Sequence, residues 1–390
     1  MTNVAVVVAS NRPEQMFACL DAWADQTLPA KWYVVWDLEE MPAESHTSAW
    51  DRQGIKHELG ASAWVIPFKT GAIRSFGFLM AYRAGADIIV SLDDDVRPSG
   101  PAHLAELVAA LDTPVNAEWV GFGPAKQRGI PFDLKKQAPW LHEGGWYGVP
   151  DLDAPTRLVA GVHPFYAAPR YSPSVVVPSG QWLALSAMHF AFRRELTPAL
   201  YQLLMGPEWG FHRFDDIWSG LFAKKVCDHL GQYVTFGEPF VRHEQASNVY
   251  DNLVAEAPGI REHERVWREL VALPVSGDCA ACAYRSIAEG VRQSSVRKSS
   301  ALFDDPYWSK LAEAMVVWAG LFPCTGPDYR VGMGTTAFIE EPTTAVADGR
   351  CRELLHITPS AIAICALPAG HEGDHSGATR PVAVASARIQ

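Results

Sequence analysis

Three consecutive carboxylates, Asp93-Asp94-Asp95, close the hydrophobic run Asp87-Ile88-Ile89-Val90-Ser91-Leu92. A continuous run of that length reads as a strand buried on both faces of a parallel sheet. The carboxyl ends of such strands open into the ligand crevice of an α/β sheet. Three adjacent acids there repel one another and lose hydration, and a hard divalent cation relieves both penalties. Mg2+ and Mn2+ typically take one or two carboxylates and complete their shells with substrate phosphates. The triplet therefore points to Mn2+ or Mg2+ and, through the metal, to a phosphorylated ligand. The competing reading is a solvated acidic turn, because Asp is common where strands end.

Other groups could serve the same chemistry. Lys69 and Arg74 lie in Phe68-Lys69-Thr70-Gly71-Ala72-Ile73-Arg74, just upstream of the triplet, and cations there could hold a diphosphate. Asp37 ends the apolar stretch Trp32–Trp36 and joins them as a ligand contact. Asp215 and Asp216 follow Arg213-Phe214 at the start of a helical pattern, where acids commonly cap or favour the helix dipole. A catalytic role would need a raised pKa or contact with a reacting hydroxyl. His243 is a candidate metal ligand. Arg128 and Lys135 lie in a loop region rich in Pro, Gly and aromatic residues, residues 124–180.

The elements that must position these groups alternate between strand and helix. Val4–Ala9, Trp32–Trp36, Ala63–Phe68 and Ile88–Leu92 read as strands, and the pattern at 71–84 reads as a helix with Ile73, Phe76 and Met80 on one stripe. Alternation of this kind predicts right-handed βαβ units and a Rossmann-like, mostly parallel sheet of the α/β class. No Gly-x-Gly-x-x-Gly follows the first strand, which disfavours a dinucleotide cofactor. Further on, Tyr233–Phe236 reads as a strand and 306–321 as a helix. A shift in composition near Leu273 divides the chain into a catalytic domain, 1–273, and a helical, then loop-rich extension, 274–390.

At 390 residues, 48% hydrophobic and 20% charged, the chain can bury a sizeable core. Its 14 Trp fit that core better than a set of ligand platforms. A net charge of −11 argues against broad, sequence-independent nucleic-acid binding. No signal peptide and no apolar run long enough to span a membrane is evident, and the 7 Cys are an odd, modest number, Cys19 and Cys227 isolated and the other five after residue 278, so a reducing, cytoplasmic setting is the expectation. Cys351 and Cys365, with His371 and His375, offer a structural Zn2+ site in the tail, and Cys279-Ala280-Ala281-Cys282 adds a second candidate pair.

Taken in order, the segments resemble the reversibly glycosylated polypeptide family, which includes the plant UDP-arabinopyranose mutases. The resemblance runs through Phe68-Lys69, Arg74–Gly77, the Asp93 triplet, Arg128-Gly129-Ile130-Pro131-Phe132 and Val149–Val159. It continues through Arg213–Gly220, Val226–Gly231 and His243–Asn248, covering roughly residues 4–265. It implies a GT-A glycosyltransferase fold, a UDP-sugar and Mn2+ or Mg2+. It also implies metal and nucleotide roles for Asp93, Asp94 and Asp95, a late metal ligand at His243, and an acceptor-side carboxylate at Asp215 or Asp216. Two family arginines seven residues apart matter for activity, the first as the site of self-glycosylation. Arg128 matches the first; Lys135 stands at the second, keeping the charge but losing the planar fork.

The resulting expectation is a metal-dependent glycosyltransferase that moves a sugar from a UDP-sugar to an external hydroxyl on a modified DNA base, a glycan or a protein. Catalysis falls to Asp215, Asp216, Arg128 and Lys135; nucleotide-sugar contacts fall to Asp37, Lys69, Arg74, Asp93 and Asp94; the metal falls to Asp93, Asp95 and His243. The alternatives are a mutase that changes the ring size of its own UDP-sugar, and a non-catalytic sugar-nucleotide-binding subunit. A homo-oligomer is a compatible assembly.

Overall fold

The computed structural model describes residues 2–45, 48–116, 128, 136–149, 151–160, 174–244, 247–297, 306–324, 354–358, 361–365 and 377–378. Its first compact unit, Met1–Gly326, is built on a nine-stranded sheet. The strands are β1 (Val4–Ser10), β2 (Lys31–Trp36), β3 (Ala49–Trp50), β4 (Ile88–Leu92), β5 (Val96–Arg97), β6 (Leu141–Gly148), β7 (Val175–Val177), β8 (His189–Arg193) and β9 (Val234–His243). Their order is β3-β2-β1-β4-β8-β6-β9-β5, with β7 also on β9. β3, β2, β1 and β4 are parallel; β8 runs against both β4 and β6; β6 and β9 are parallel. This is the mixed α/β, mostly parallel architecture that the resemblance to GT-A enzymes implies.

Alternation along the central strands explains why both faces are covered. Val4, Val6 and Val8 of β1 and Ile88, Val90 and Leu92 of β4 enter one core; Ala5, Val7 and Ile89 enter the other. Helices α1 (Pro13–Ala22) and α4 (His103–Asp112) supply Met16, Cys19, Leu104 and Leu107 to the first core. Helices α2 (Arg52–Leu59), α3 (Ile73–Arg83) and α6 (Asp215–His229) feed the second. Trp23, Trp36, Trp218, Trp308 and Trp318 are fully buried, as the core reading of the tryptophans required.

The apolar stretch Ala63–Phe68 is not a strand. Gly60–Val65 is a 3-10 turn, and Val65 and Ile66 are buried beneath it. Pro67 lacks the N–H that a ladder needs, and the place beside β2 is taken by β3, with Val34 opposite Ala49. Burial, not strand pairing, accounts for the hydrophobicity of that stretch.

The shift in composition at Leu273 falls inside the compact unit. After α5 (Ala154–Ala160) and α7 (Val249–Ala272), the helices α8 (Ala280–Arg297) and α9 (Pro306–Gly320) pack into the same core. Trp318 stacks on Tyr201 at 5.5 Å, and Phe322 meets Tyr82 edge-on at 4.9 Å. The second unit, Pro327–Gln390, was expected to be loop-like but contains three antiparallel strands, β10 (Leu354–Thr358), β11 (Ala361–Cys365) and β12 (Gly377–Ala378). Cys365 pairs with Gly377 at the end of β11, whereas Cys351, His371 and His375 lie outside the described residues. No helix among the described residues is long and apolar enough to cross a membrane.

Candidate functional site

Strands β1, β2 and β4 end at one edge of the sheet, and their ends open into a cavity of about 470 Å³. Asp37, Lys69, Arg74, Asp93, Asp94, Asp95, Asp215, Asp216 and His243 all line it. Residues more than a hundred positions apart in sequence thus meet in one place.

The three acids of the triplet do different work. Asp94 is almost wholly buried and receives the Ser10 hydroxyl and both Nε and Nη2 of Arg12. Asp93 has a side chain 34% exposed and is gripped by Arg74 Nη2. Arg74 is itself buried, its Nη1 bonded to Ser91 Oγ (2.9 Å), Leu92 O (3.1 Å) and Ala187 O (2.7 Å). It therefore orients Asp93 and locks the end of β4, rather than reaching freely for a phosphate. Asp95 is different: its buried Oδ1 has no hydrogen-bond partner. Burial pushes its carboxyl up to about 6, with the neighbouring Asp93 adding to the shift.

His243 completes this corner. Its Nδ1 lies 2.8 Å from the carbonyl of Val149, which can only accept, so Nδ1 carries the hydrogen. The lone pair of Nε2 is left 3.9 Å from Asp95 Oδ1. A cation with bonds of about 2.1 Å spans donor atoms up to about 4.2 Å apart. An orphaned carboxylate oxygen facing an imidazole lone pair thus fits the Mn2+ or Mg2+ implied by the resemblance, with the better-exposed Asp93 beside them.

The α6 side of the cavity is also acidic but is built differently. Asp216 accepts from Ala187 N–H (3.0 Å) and Ile217 N–H (2.8 Å), and burial, then the adjacent Asp215, push its carboxyl up to about 8. Asp215 is raised too, chiefly by burial. It needs room: a Cβ on Gly71 would lie 1.6 Å from Asp215 Oδ2, so only glycine lets the Lys69–Gly71 loop pass. Lys69 (φ 58°) and Arg213 (φ 59°) hold left-handed backbone at this cavity, a conformation that costs non-glycine residues about 1–3 kcal/mol. Arg213 Nε is tied to the buried Glu256 at 3.1 Å, and Glu256 also receives Ala154 N–H at 2.7 Å.

The family model described as Reversibly glycosylated polypeptide matches residues 2–326. The chain belongs to the reversibly glycosylated polypeptide family. It is 35% identical over 287 residues to a probable UDP-arabinopyranose mutase 4 of Arabidopsis thaliana, covering 69% of this chain and 76% of that one. It is 34% identical over 289 residues to UDP-arabinopyranose mutase 1 of Oryza sativa subsp. japonica, again covering 69% and 76%. Among solved structures, a mannosyl-3-phosphoglycerate synthase from Rubrobacter xylanophilus is similar over 68% of this chain and 75% of that one. Its identity of 13% and TM-score of 0.34 are too low to bear on fold or function.

Within this member of the family, the structure brings together every acidic candidate and His243, but not Arg128. Arg128 is exposed and is not among the described residues lining the cavity, and Lys135 lies outside the described residues. Sequence reasoning missed Ser10, which ends β1, and Arg12 just after it. It also missed Ser186–Met188, which precede β8 and act largely through the backbone. Ala187 gives its carbonyl to Arg74 and its N–H to Asp216, Met188 O accepts Asp93 N–H (3.1 Å), and Ser186 Oγ donates to Asp151 (3.0 Å). A single turn of chain thereby fixes the β4 acids against the α6 acids.

Proposed function

We propose that this protein is a UDP-sugar mutase that interconverts pyranose and furanose forms of a UDP-pentose, UDP-arabinopyranose first among them. The observation that carries the reading is one cavity holding both an ionic corner for a diphosphate and a pair of buried carboxylates whose neutral form burial favours, in a chain whose relatives are UDP-arabinopyranose mutases. Mn2+ or Mg2+, held by Asp95 Oδ1 and His243 Nε2 with Asp93 alongside, would supply charge neutralisation for a diphosphate that leaves the anomeric carbon and bonds to it again once the new ring has closed. Arg12 and Lys69 line the same cavity and add positive charge. Ring contraction needs a proton delivered to the ring oxygen as it opens and one removed from the hydroxyl that closes the new ring. Asp215 can do both. Burial, with the charge of nearby Asp93 adding to it, favours the neutral form of its carboxyl, while Asp216 beside it is fixed by Ala187 and Ile217.

A second reading, transfer of the sugar to an external hydroxyl, is favoured by Lys135 standing where the family carries an arginine. Purified protein incubated with Mn2+ and a panel of UDP-sugars, followed by chromatography, separates the two. The mutase reading expects conversion of UDP-arabinopyranose to the furanose form with no acceptor present and no build-up of UDP. UDP release that depends on an added acceptor would replace it with transfer. Binding with neither outcome would leave a non-catalytic sugar-nucleotide protein.

A further inference from the structure

A second cluster of reactive side chains lies far from the cavity in sequence, where α8 begins and the chain leaves α9. Cys279 immediately precedes α8, Cys282 lies in its first turn, and Cys324 follows α9 by four residues. The three sulfurs lie within 4.8 Å of one another, and all three residues are half-buried. Cys282 and Cys324 are joined, with Cα atoms 6.9 Å apart, at the far limit of what a disulfide spans. The Cys279 sulfur is only 3.2 Å from that of Cys324.

The surroundings are built around these sulfurs. Cys282 N–H points at the Cys279 sulfur at 3.4 Å, at the start of α8. Gly277 adopts φ 104°, and a Cβ there would lie 2.6 Å from the Cys282 Cβ, so the preceding loop folds directly over the cluster. His229 donates from Nε2 to Gly277 O at 2.7 Å, and Ser276 N–H donates to Ser286 Oγ at 3.0 Å, fastening that loop to α6 and α8. A disulfide uses two of the three sulfurs and leaves the third crowded against it. A tetrahedral thiolate site uses all three: Zn–S bonds of about 2.3 Å set sulfurs about 3.8 Å apart, so reduction must let the Cys282 and Cys324 sulfurs part while the cluster stays within its 4.8 Å reach.

We propose that in the reduced protein Cys279, Cys282 and Cys324 ligate a Zn2+ ion that clasps the start of α8 to the end of the α8–α9 hairpin, with the fourth position open to solvent. The site is independent of the sugar-nucleotide reading. It is also distinct from the tail cysteines.

The test is metal content of the full chain purified under reductant, by mass spectrometry of the metal. The expected result is zinc in near-equimolar amount that drops to trace in Cys279→Ser, Cys282→Ser and Cys324→Ser, and that persists in a Cys351→Ser, Cys365→Ser double variant. Because single variants can misfold, cobalt exchange into the unaltered chain gives a second readout: thiolate-to-cobalt charge-transfer absorption of an intensity expected for three thiolates. Metal retained in Cys279→Ser, or lost only with the tail cysteines, overturns the proposal. So does a metal-free chain, whether its intact mass is two hydrogens short with Cys279 alone reacting as a thiol, or whether all three cysteines titrate as free thiols.

Discussion

The two acidic groups of the cavity carry similar charge on paper and are partnered differently in the fold. On the β4 side, each carboxylate has a cation or an imidazole nearby: Arg12 for Asp94, Arg74 for Asp93, His243 for Asp95. On the α6 side, Asp216 is satisfied by backbone N–H groups, and burial drives both acids toward the protonated form. Opposite charge nearby keeps a carboxylate ionised, whereas burial without a paired cation keeps it neutral. One strip of the site is therefore suited to holding charge and the other to moving protons.

The sharpest way to break that contrast is to remove the orphaned oxygen. Asp95→Asn is expected to lower metal-dependent turnover about 10³-fold and to weaken Mn2+ binding measured by calorimetry. Asp94→Asn should leave metal affinity near wild type, because its carboxylate is committed to Ser10 and Arg12; its cost appears as lost stability of about 1–3 kcal/mol in denaturant unfolding. Equal loss of metal affinity in both variants would erase the distinction within the triplet. On the α6 side, burial favours the neutral form of Asp215, and Asp215→Asn removes its transferable proton. Turnover should fall about 10²-fold while UDP affinity at neutral pH stays unchanged. A parallel loss of UDP affinity would mean that Asp215 is ionised at rest.

How much of this was legible in the sequence depends on how each group makes itself known. The triplet is contiguous and ends an apolar run, so type, position and strand could be read together. Asp215 and Asp216 announced themselves as paired acids at a helix start. Ser10 and Arg12 did not, because what gives them meaning is Asp94, 84 and 82 positions away. Ser186–Met188 act mostly through N–H and C=O, which every residue carries, so side-chain patterns hold no trace of them. β6 was also missed: Leu141-His-Glu-Gly-Gly-Trp-Tyr-Gly148 has neither alternation nor β-branched residues, and its place comes from pairing with β8 and β9. Ala63–Phe68 misled in the other direction, since hydrophobicity alone does not tell a buried turn from a strand.

Smaller effects sharpen the same comparison. Gly71→Ala would set a methyl against the Asp215 carboxylate tip, and overpacking of this kind costs about 1–3 kcal/mol. Because the clash falls on Asp215, the loss should appear in turnover more than in Mn2+ affinity. Weakened metal binding with turnover unchanged would reverse the assignment of the two sides.

Glu143 extends the contrast below the cavity. Its Oε1 accepts Ser186 N–H at 2.9 Å, and burial pushes its carboxyl up to about 8 from an ordinary value of 4.5. The neutral acid is the form the fold favours, so its contribution to stability is complete below about pH 4.5, where both states are protonated. It is then lost progressively as pH rises toward 8, because the unfolded chain releases a proton that the folded chain retains. The slope cannot exceed about 1.4 kcal/mol per pH unit for one group. Glu143→Gln keeps the acceptor for Ser186 N–H and has no proton to lose. Denaturant unfolding from pH 5 to 8 should therefore show a shallower fall for the variant, which becomes the more stable protein at pH 8. Asp216 titrates over the same range and keeps part of the slope in place, so the difference between the two curves, rather than either alone, isolates Glu143. Parallel curves would mean that Glu143 is already ionised in the fold and that the region behind Ser186 is not as dry as the α6 acids require.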